Sequence, residues 1–452
     1  MNIKKLLLVS ANRFTVPYPV YPLGISYLKA FLNEAMPSLQ VRLFDFMTGS
    51  FEDYTRLISE MNPDFVGISI RNIDDVNIYR KESFISHYRQ IVSVTRESCR
   101  AVVIIGGSGF SIYPQFLYDY LQPDFGIYGE GELSLQNLIT SLENNGDYSI
   151  VEGLVYRKNG KTIVNRRDHF YRTPDVNFDN DLIDYYWNQS GMLNIQTKRG
   201  CPYKCIYCTY PLIEGSRVRT LDPAKIVKTL AHLSTTRNIN YVFFTDSIFN
   251  ITNNFNYELA DRLIAEDLKL EWGAYFNFTN IDTGLLEKLK RAGLRHIEFG
   301  TESLSDEMLR NYRKPFELKD VMKICSVCND LGIDFAHFLI LGGYGETEKT
   351  LDETFLNSTK ISRTVFFPFI GMRIYPGTRL HEIALREGIV EKDNDLLEPV
   401  YYVSGNIDLT TLKEKARKTE KQWVFPDEDL SPAMTRLRKR NKKGPLWEYL
   451  LK

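Results

Sequence analysis

A chain of 452 residues with 25% charged residues and a formal net charge of −1 has no basic excess, which sets aside a general nucleic-acid binder. Its 43% hydrophobic content suits a globular protein with two or three cores. No stretch reaches the roughly 18 apolar residues of a membrane-spanning helix, so a cytoplasmic protein with reduced thiols is expected. The first third alternates strands ("KLLLVS", "VRLFDF", "DFVGISI", "AVVIIGG", "DFGIYGEGE") with amphipathic helices, one marked by Leu28, Phe31, Leu32 and Ala35. This rhythm predicts an α/β fold, a doubly wound parallel sheet over residues 1–144. Ligands of such sheets sit beyond the strand carboxyl ends, here Ser10, Arg71, Gly106, Gly107, Ser108 and Gly129 to Glu132. Residues 145–190 read as a linker containing a hairpin, with Asn159-Gly160 as its tight turn. A second alternating series over residues 191–390 ("LNIQTK", "YVFFTD", "EWGAYFN", "HIEFGTE", "FAHFLILGG", "VFFPFIGMRIY") predicts an open partial (β/α)6 barrel. Residues 391–452 form a small C-terminal segment with weaker pattern.

The loop after the first strand of the second series, "RGCPYKCIYC", places Cys201, Cys205 and Cys208 at C-x3-C-x2-C spacing. A closed structural zinc site wants four protein ligands, and so does a fully protein-ligated cubane iron–sulfur cluster. Three thiolates on a cubane leave one iron open to an exogenous chelating ligand, such as a substrate. Zinc is the alternative. Cys99, Cys325 and Cys328 are expected to pack in cores, and His337 either to face the barrel cavity or to take a hydrogen-bonded core role.

This cysteine loop, opening a six-unit β/α series, resembles the radical S-adenosylmethionine (SAM) superfamily. The resemblance implies a 4Fe-4S cluster on Cys201, Cys205 and Cys208 with Tyr207 beside it. It also implies SAM on the open iron and one-electron cleavage to a 5′-deoxyadenosyl radical, with an external flavodoxin- or ferredoxin-type donor. Asp246 and Ser247 of "TDSIFN" stand where the family contacts the SAM amino group, without its usual Gly-Gly-Glu. Glu302 and Ser303 of "FGTES" are candidates for the ribose or methionyl carboxylate, Gly342 for a close approach to adenine, and Arg373 for SAM or substrate.

The N-terminal stretches "PYPVYPLGISYLKAFL", "GISIRN", "IIGGSGF" and "GIYGEGE" resemble the cobalamin-binding domain fused to many radical SAM proteins. Cobalamin contacts are then expected from Ser10, Arg71, Asn72, Gly106, Gly107, Ser108, Gly129, Glu130 and Gly131. No G-x-G-x-x-G follows the first strand, which weakens a dinucleotide reading. The family's Asp-x-His-x-x-Gly motif is "DFMTG" here, with Met47 in the histidine position, so no motif histidine can ligate cobalt. Arg71 is the candidate for the lower face of cobalt, with Asn72 on nearby corrin amides. Together these imply a cobalamin-dependent radical SAM methyltransferase acting on an unactivated carbon of a small molecule or lipid. Ring formation or rearrangement by the same machinery, and a non-enzymatic cobalamin carrier or sensor, are the alternatives. "YCTYPLIEGSRVR" resembles a subgroup associated with ladderane-type lipids. The basic run from Arg436 to Lys443 before Trp447, Tyr449, Leu450 and Leu451 suits a peripheral contact with an anionic membrane.

Overall fold

The computed structural model describes residues 4–171 and 178–451, so part of the Asp- and aromatic-rich stretch before Trp187 lies outside the described residues. The N-terminal sheet is built from β1 (Lys5–Ser10), β2 (Gln40–Asp45), β3 (Phe65–Ser69), β4 (Val102–Gly106) and β5 (Phe125–Ile127), continued by β6 (Leu154–Lys158) and β7 (Lys161–Val164). The spatial order is β2-β1-β3-β4-β5-β6-β7, parallel through β5 and antiparallel thereafter. Near-continuous apolar strands follow from burial on both faces. Leu7 and Val9 face one helical layer, Leu6 and Leu8 the other. The order in which strands are added reverses between β1 and β3, and the crevice at such a switch point is the ligand position of doubly wound sheets.

The hairpin is not part of a linker. β6 pairs with β5 at Gly126–Val155 and Ile127–Leu154, extending the first sheet. The reason is that β5 is only three residues long and would otherwise leave an open edge. Its turn residues have the positive φ angles expected, Asn159 at 50° and Gly160 at 77°.

The second sheet starts at β8 (Leu193–Ile195), followed by a two-stranded ribbon of β9 (Lys198–Arg199) and β10 (Arg219–Thr220). It continues through β11 (Tyr241–Phe244), β12 (Glu271–Phe276), β13 (Leu294–Glu302), β14 (Asp334–Leu341) and β15 (Thr364–Ile370). A second ribbon joins β16 (Met372–Arg373) to β17 (Tyr401–Tyr402). β18 (Gln422–Trp423) adds to β15, giving seven parallel strands in the order β18-β15-β14-β13-β12-β11-β8. The six units expected from sequence are there, and the C-terminal segment supplies the seventh strand. One face buries Val242, Trp272, Ile297, Phe335 and Phe366 against helices such as Pro223–Arg237, Thr283–Arg291 and Leu318–Leu331. Cys325 and Cys328 are buried in that layer, as expected.

His337 also faces the helices rather than the barrel interior. Its ring lies near-parallel to Phe299 and Phe366 and bonds Thr301 Oγ1 at 2.7 Å, and burial holds its pKa down at about 3. The opposite face of the sheet is the barrel interior, and the C-terminal segment enters it. Trp447 packs with Ala336, Val365 and Val424, and its indole N–H donates to Glu298 at 3.0 Å. The apolar part of the expected membrane-contact stretch is thus used in packing at Trp447, while Tyr449 is 47% exposed. No helix among the described residues is long and apolar enough to cross a membrane.

Candidate active site

The three-cysteine loop leaves β9 through Gly200, at φ 89°, where a Cβ would stand 2.2 Å from the Arg217 carbonyl oxygen. Its N–H donates to Glu214 at 3.0 Å, fixing the loop's entry. Cys201, Cys205 and Cys208 are all free thiols. Burial raises each of their pKa values, Cys208 to about 12, and Lys314 nearby pulls in the other direction. Such thiols become thiolates only when a strong positive centre binds them. Among the described residues no three metal-ligating side chains converge on a single point, as a one-ion site would have them. A cubane distributes its ligands over separate irons and needs no such convergence, so the donor set fits that cluster.

Glu302 ends β13 beside this loop in a left-handed conformation, φ 59°. Its carboxylate accepts a hydrogen bond from Tyr207 and pairs with Lys314 at 2.9 Å. Ser247 Oγ donates to the Gly200 carbonyl at 3.5 Å, next to Cys201. Tyr207, Glu302 and Ser247 thus stand together at the cysteine loop.

Four other expectations are corrected. Asp246 is fully buried and accepts from the Thr197 N–H (2.6 Å), the Thr197 hydroxyl (2.5 Å), the Lys198 N–H (2.9 Å) and Lys198 Nζ (3.2 Å). It anchors the chain between β8 and the cluster loop, leaving no face for a ligand. Ser303 is buried against Thr354 at 3.1 Å and accepts from the Ser305 N–H, so it caps a turn. Gly342 is covered by Ile407 and Leu409, 3.0 and 3.4 Å from where its Cβ would be, and its N–H is bonded to Glu346. Arg373 pairs with Asp74 at 2.9 Å and donates to the Ile374 and Leu396 carbonyls. That buried pair ties the two sheets together instead of holding SAM.

Between the sheets lies a cavity of about 520 Å³. Ser10, Arg71, Asn72, Gly106, Gly107, Ser108, Gly129, Glu130 and Gly131 all line it, together with Thr209, Tyr210 and Thr245 from the second domain. Gly107 has φ 98°, and a Cβ there would fall 2.4 Å from the Ile70 carbonyl oxygen. Gly107→Ala is expected to cost roughly 2 kcal/mol or more from left-handed strain plus that clash. It should also lose cobalamin on gel filtration, which denaturant titration and cobalt content together check.

The amide oxygen of Asn72 is buried with no partner, as an acceptor awaiting a ligand amide would be. The expected competitors for Arg71 are taken, since Asp74 holds Arg373 and Asp75 holds Arg80 at 3.0 Å. The Arg71 guanidinium, exposed at the cavity, makes no ion pair among the described residues. Met47 does not line the cavity and packs at the edge of the barrel core. Glu130 has a different duty from the one expected, because its carboxylate accepts from Arg219 at 2.6 Å and from the Tyr171 N–H at 2.8 Å.

The profile of the radical SAM superfamily matches residues 195–356, and that of the B12 binding domain matches residues 9–139. The chain belongs to the cobalamin-binding radical SAM enzyme family.

An uncharacterized methyltransferase of Pyrococcus horikoshii is 24% identical over 406 residues, spanning 86% of this chain and 85% of that protein. The anaerobic magnesium-protoporphyrin IX monomethyl ester cyclase of Rubrivivax gelatinosus is 26% identical over 354 residues, 74% of this chain and 61% of its own length. Among solved structures, the radical S-adenosylmethionine methyltransferase TsrM from Kitasatospora setae, with cobalamin and a [4Fe-4S] cluster bound, superposes with a TM-score of 0.87 at 21% identity. That match covers 99% of this chain and 97% of TsrM, and at this identity it speaks for the fold.

Two functional groups of the radical SAM barrel escaped the sequence reading. Lys314 reaches the cysteines from a turn with no motif of its own. Arg199 was visible only as part of "RG" before the first cysteine. It proves to be buried between the B12 domain and the barrel, 2.9 Å from Glu132 and 3.7 Å from Glu130.

Proposed function

We propose that the protein is a cobalamin-dependent radical SAM methyltransferase that acts on an unactivated carbon of a small molecule. One observation carries this reading: the glycine-shelved cavity of the B12 domain is closed on its far side by Thr209 and Tyr210, which directly follow Cys208. A corrin on that shelf and a cluster on that loop would therefore face one common space. When bound, the cluster with SAM supplies hydrogen abstraction, and cobalamin supplies a methyl carrier.

The chain's own residues prepare the space. Glu302, Tyr207 and Lys314 form a fixed polar edge beside the cysteines. The buried Asp246 and Arg199 contacts hold the loop against both domains. Tyr210 and Ile213 line the cavity on the side of the cluster loop.

Anaerobic reconstitution with cobalamin, SAM and a reductant, followed by product analysis, tests the reading. S-adenosylhomocysteine should accumulate alongside 5′-deoxyadenosine. Formation of 5′-deoxyadenosine alone would favour the second reading, ring formation or rearrangement, which the similarity to the ester cyclase keeps in view.

Arg71 is proposed to stand beneath cobalt. A guanidinium has no lone pair to coordinate a metal, and its charge disfavours a more oxidised, more positive cobalt. Low-valent cobalt should therefore be easier to reach. The Co(II) paramagnetic spectrum should show no imidazole-nitrogen splitting, and Arg71→Ala should admit water and alter the spectrum. Nitrogen splitting in the unaltered protein would refute this assignment.

A further inference from the structure

The interior face of the barrel has a graded lining that the strand register makes explicit. Tyr275, Glu298, Ala336 and Val365 are aligned across β12 to β15 as one row. Two residues further along each strand, on the same face, come Gly300, Phe338 and Phe367. Beyond these, toward the strand carboxyl ends, stands Phe369, 42% exposed. Phe338 lies near-parallel to Phe367 (centroids 5.3 Å, 18°) and to Phe369 (6.4 Å, 29°), an offset stack of apolar rings whose Phe367 also packs against the Trp447 cluster. Gly300 beside Phe338 adds no side chain, which leaves width for a ring.

At the floor of this stack Glu298 is 3% exposed and forms no ion pair among the described residues. Its one hydrogen bond is from the Trp447 indole. Burial without a countercharge pushes its carboxyl up to about 7. The half-buried rings of Tyr18 and Tyr275 stand within electrostatic reach of it. A carboxylate flanked by aromatic rings in a water-poor site suits a protonated amine, through a charge-assisted hydrogen bond and contact with the ring faces.

We propose that the barrel interior binds a substrate consisting of a flat apolar body and a protonated amine, with the amine on Glu298 and the body against Phe338, Phe367 and Phe369. Calling this ligand a substrate rests on the methyltransferase reading above. The acid alternative has its own candidate partner. Arg438 lies over the Tyr18 ring at 5.8 Å, with Nε and Nη2 buried and unpartnered.

The test is calorimetric titration of the anaerobic holoenzyme with three probes that share an indole ring: tryptamine, neutral 3-methylindole and anionic indole-3-propionate. Tryptamine should bind about tenfold or more tightly than 3-methylindole, a difference of about 1.4 kcal/mol. Glu298→Gln, which keeps an acceptor for Trp447, should erase that preference, whereas Phe338→Ala should weaken both probes together. Indole-3-propionate binding as tightly as tryptamine, a tryptamine preference surviving Glu298→Gln, or no binding of any probe would overturn the proposal. The probe panel on the unaltered protein decides even if a variant fails to fold. Because binding is read without turnover, tryptamine selectivity in a protein that forms no S-adenosylhomocysteine would count against the methyltransferase reading alone.

Discussion

Alanine in place of Cys201, Cys205 or Cys208 is expected to reduce SAM cleavage to background, with no gradation among the three. The cubane reading gives each thiolate its own iron, so no neighbouring residue substitutes for a missing one. The nearest polar groups are already occupied, Glu302 by Tyr207 and Lys314, and Glu214 by the Gly200 N–H. The chain itself should survive. Cys205 and Cys208 are half-buried on a loop, and only Cys201 is well buried. Anaerobic iron and sulfide content, 5′-deoxyadenosine yield and circular dichroism check the three parts of this expectation. Cys325→Ala and Cys328→Ala are the controls. They sit on the helix Leu318–Leu331 in the core outside the sheet, so each should cost about 1 kcal/mol of stability and leave SAM cleavage intact.

Arg199→Met is expected to be the most destabilising single change outside the apolar cores. The guanidinium is 8% exposed and faces Glu132, 3% exposed, and Glu130, 4% exposed, with Gln196 accepting from its Nε at 3.3 Å. Removing the cation leaves Glu132 buried without its ion-pair partner, a loss of roughly 3–5 kcal/mol. Glu130 still has Arg219 at 2.6 Å, so the damage should centre on Glu132. Adding Glu132→Gln to Arg199→Met should restore a measurable part of the loss, because the two side chains are in contact and their effects do not add. Arg199 adjoins Gly200 and Cys201 on one side and a lining wall of the cobalamin cavity on the other. Iron content and cobalamin retention should therefore fall together in the single variant. Denaturant midpoints and cofactor content measure both effects.

The elements of this fold were legible because burial on both faces leaves long apolar strands, and helix faces repeat at 3.6 residues. Register and partner choice were not. Asp74 and Arg373 lie 299 residues apart, so nothing local announces that they form a buried pair. Asp246 and Ser303 occupy strand ends that carry ligands in the resembling family, and a side chain turned into the protein reads the same in sequence as one turned toward a cavity. The hairpin at residues 154–164 was readable as a hairpin but not as a sheet extension, since its partner edge is set by the length of β5. Glu298 carried no signal either, because an isolated acidic residue in a strand gives no hint that the barrel encloses it and Trp447 reaches it from 149 residues away. The cluster loop and the glycines of the cavity were legible for the opposite reason. Their chemistry requires fixed spacing or absent side chains within a few consecutive residues.

The most direct measurement of the function is transfer of label from SAM carrying a trideuteromethyl group. The reconstituted holoenzyme would be incubated anaerobically with this SAM, a reductant and a deproteinised small-molecule extract, with and without cobalamin, and the products read by mass spectrometry. The expected result is a product bearing the intact trideuteromethyl group on carbon, formed with cobalamin and absent without it. Full consumption of SAM to 5′-deoxyadenosine with no trideuteromethylated product in either sample would contradict it.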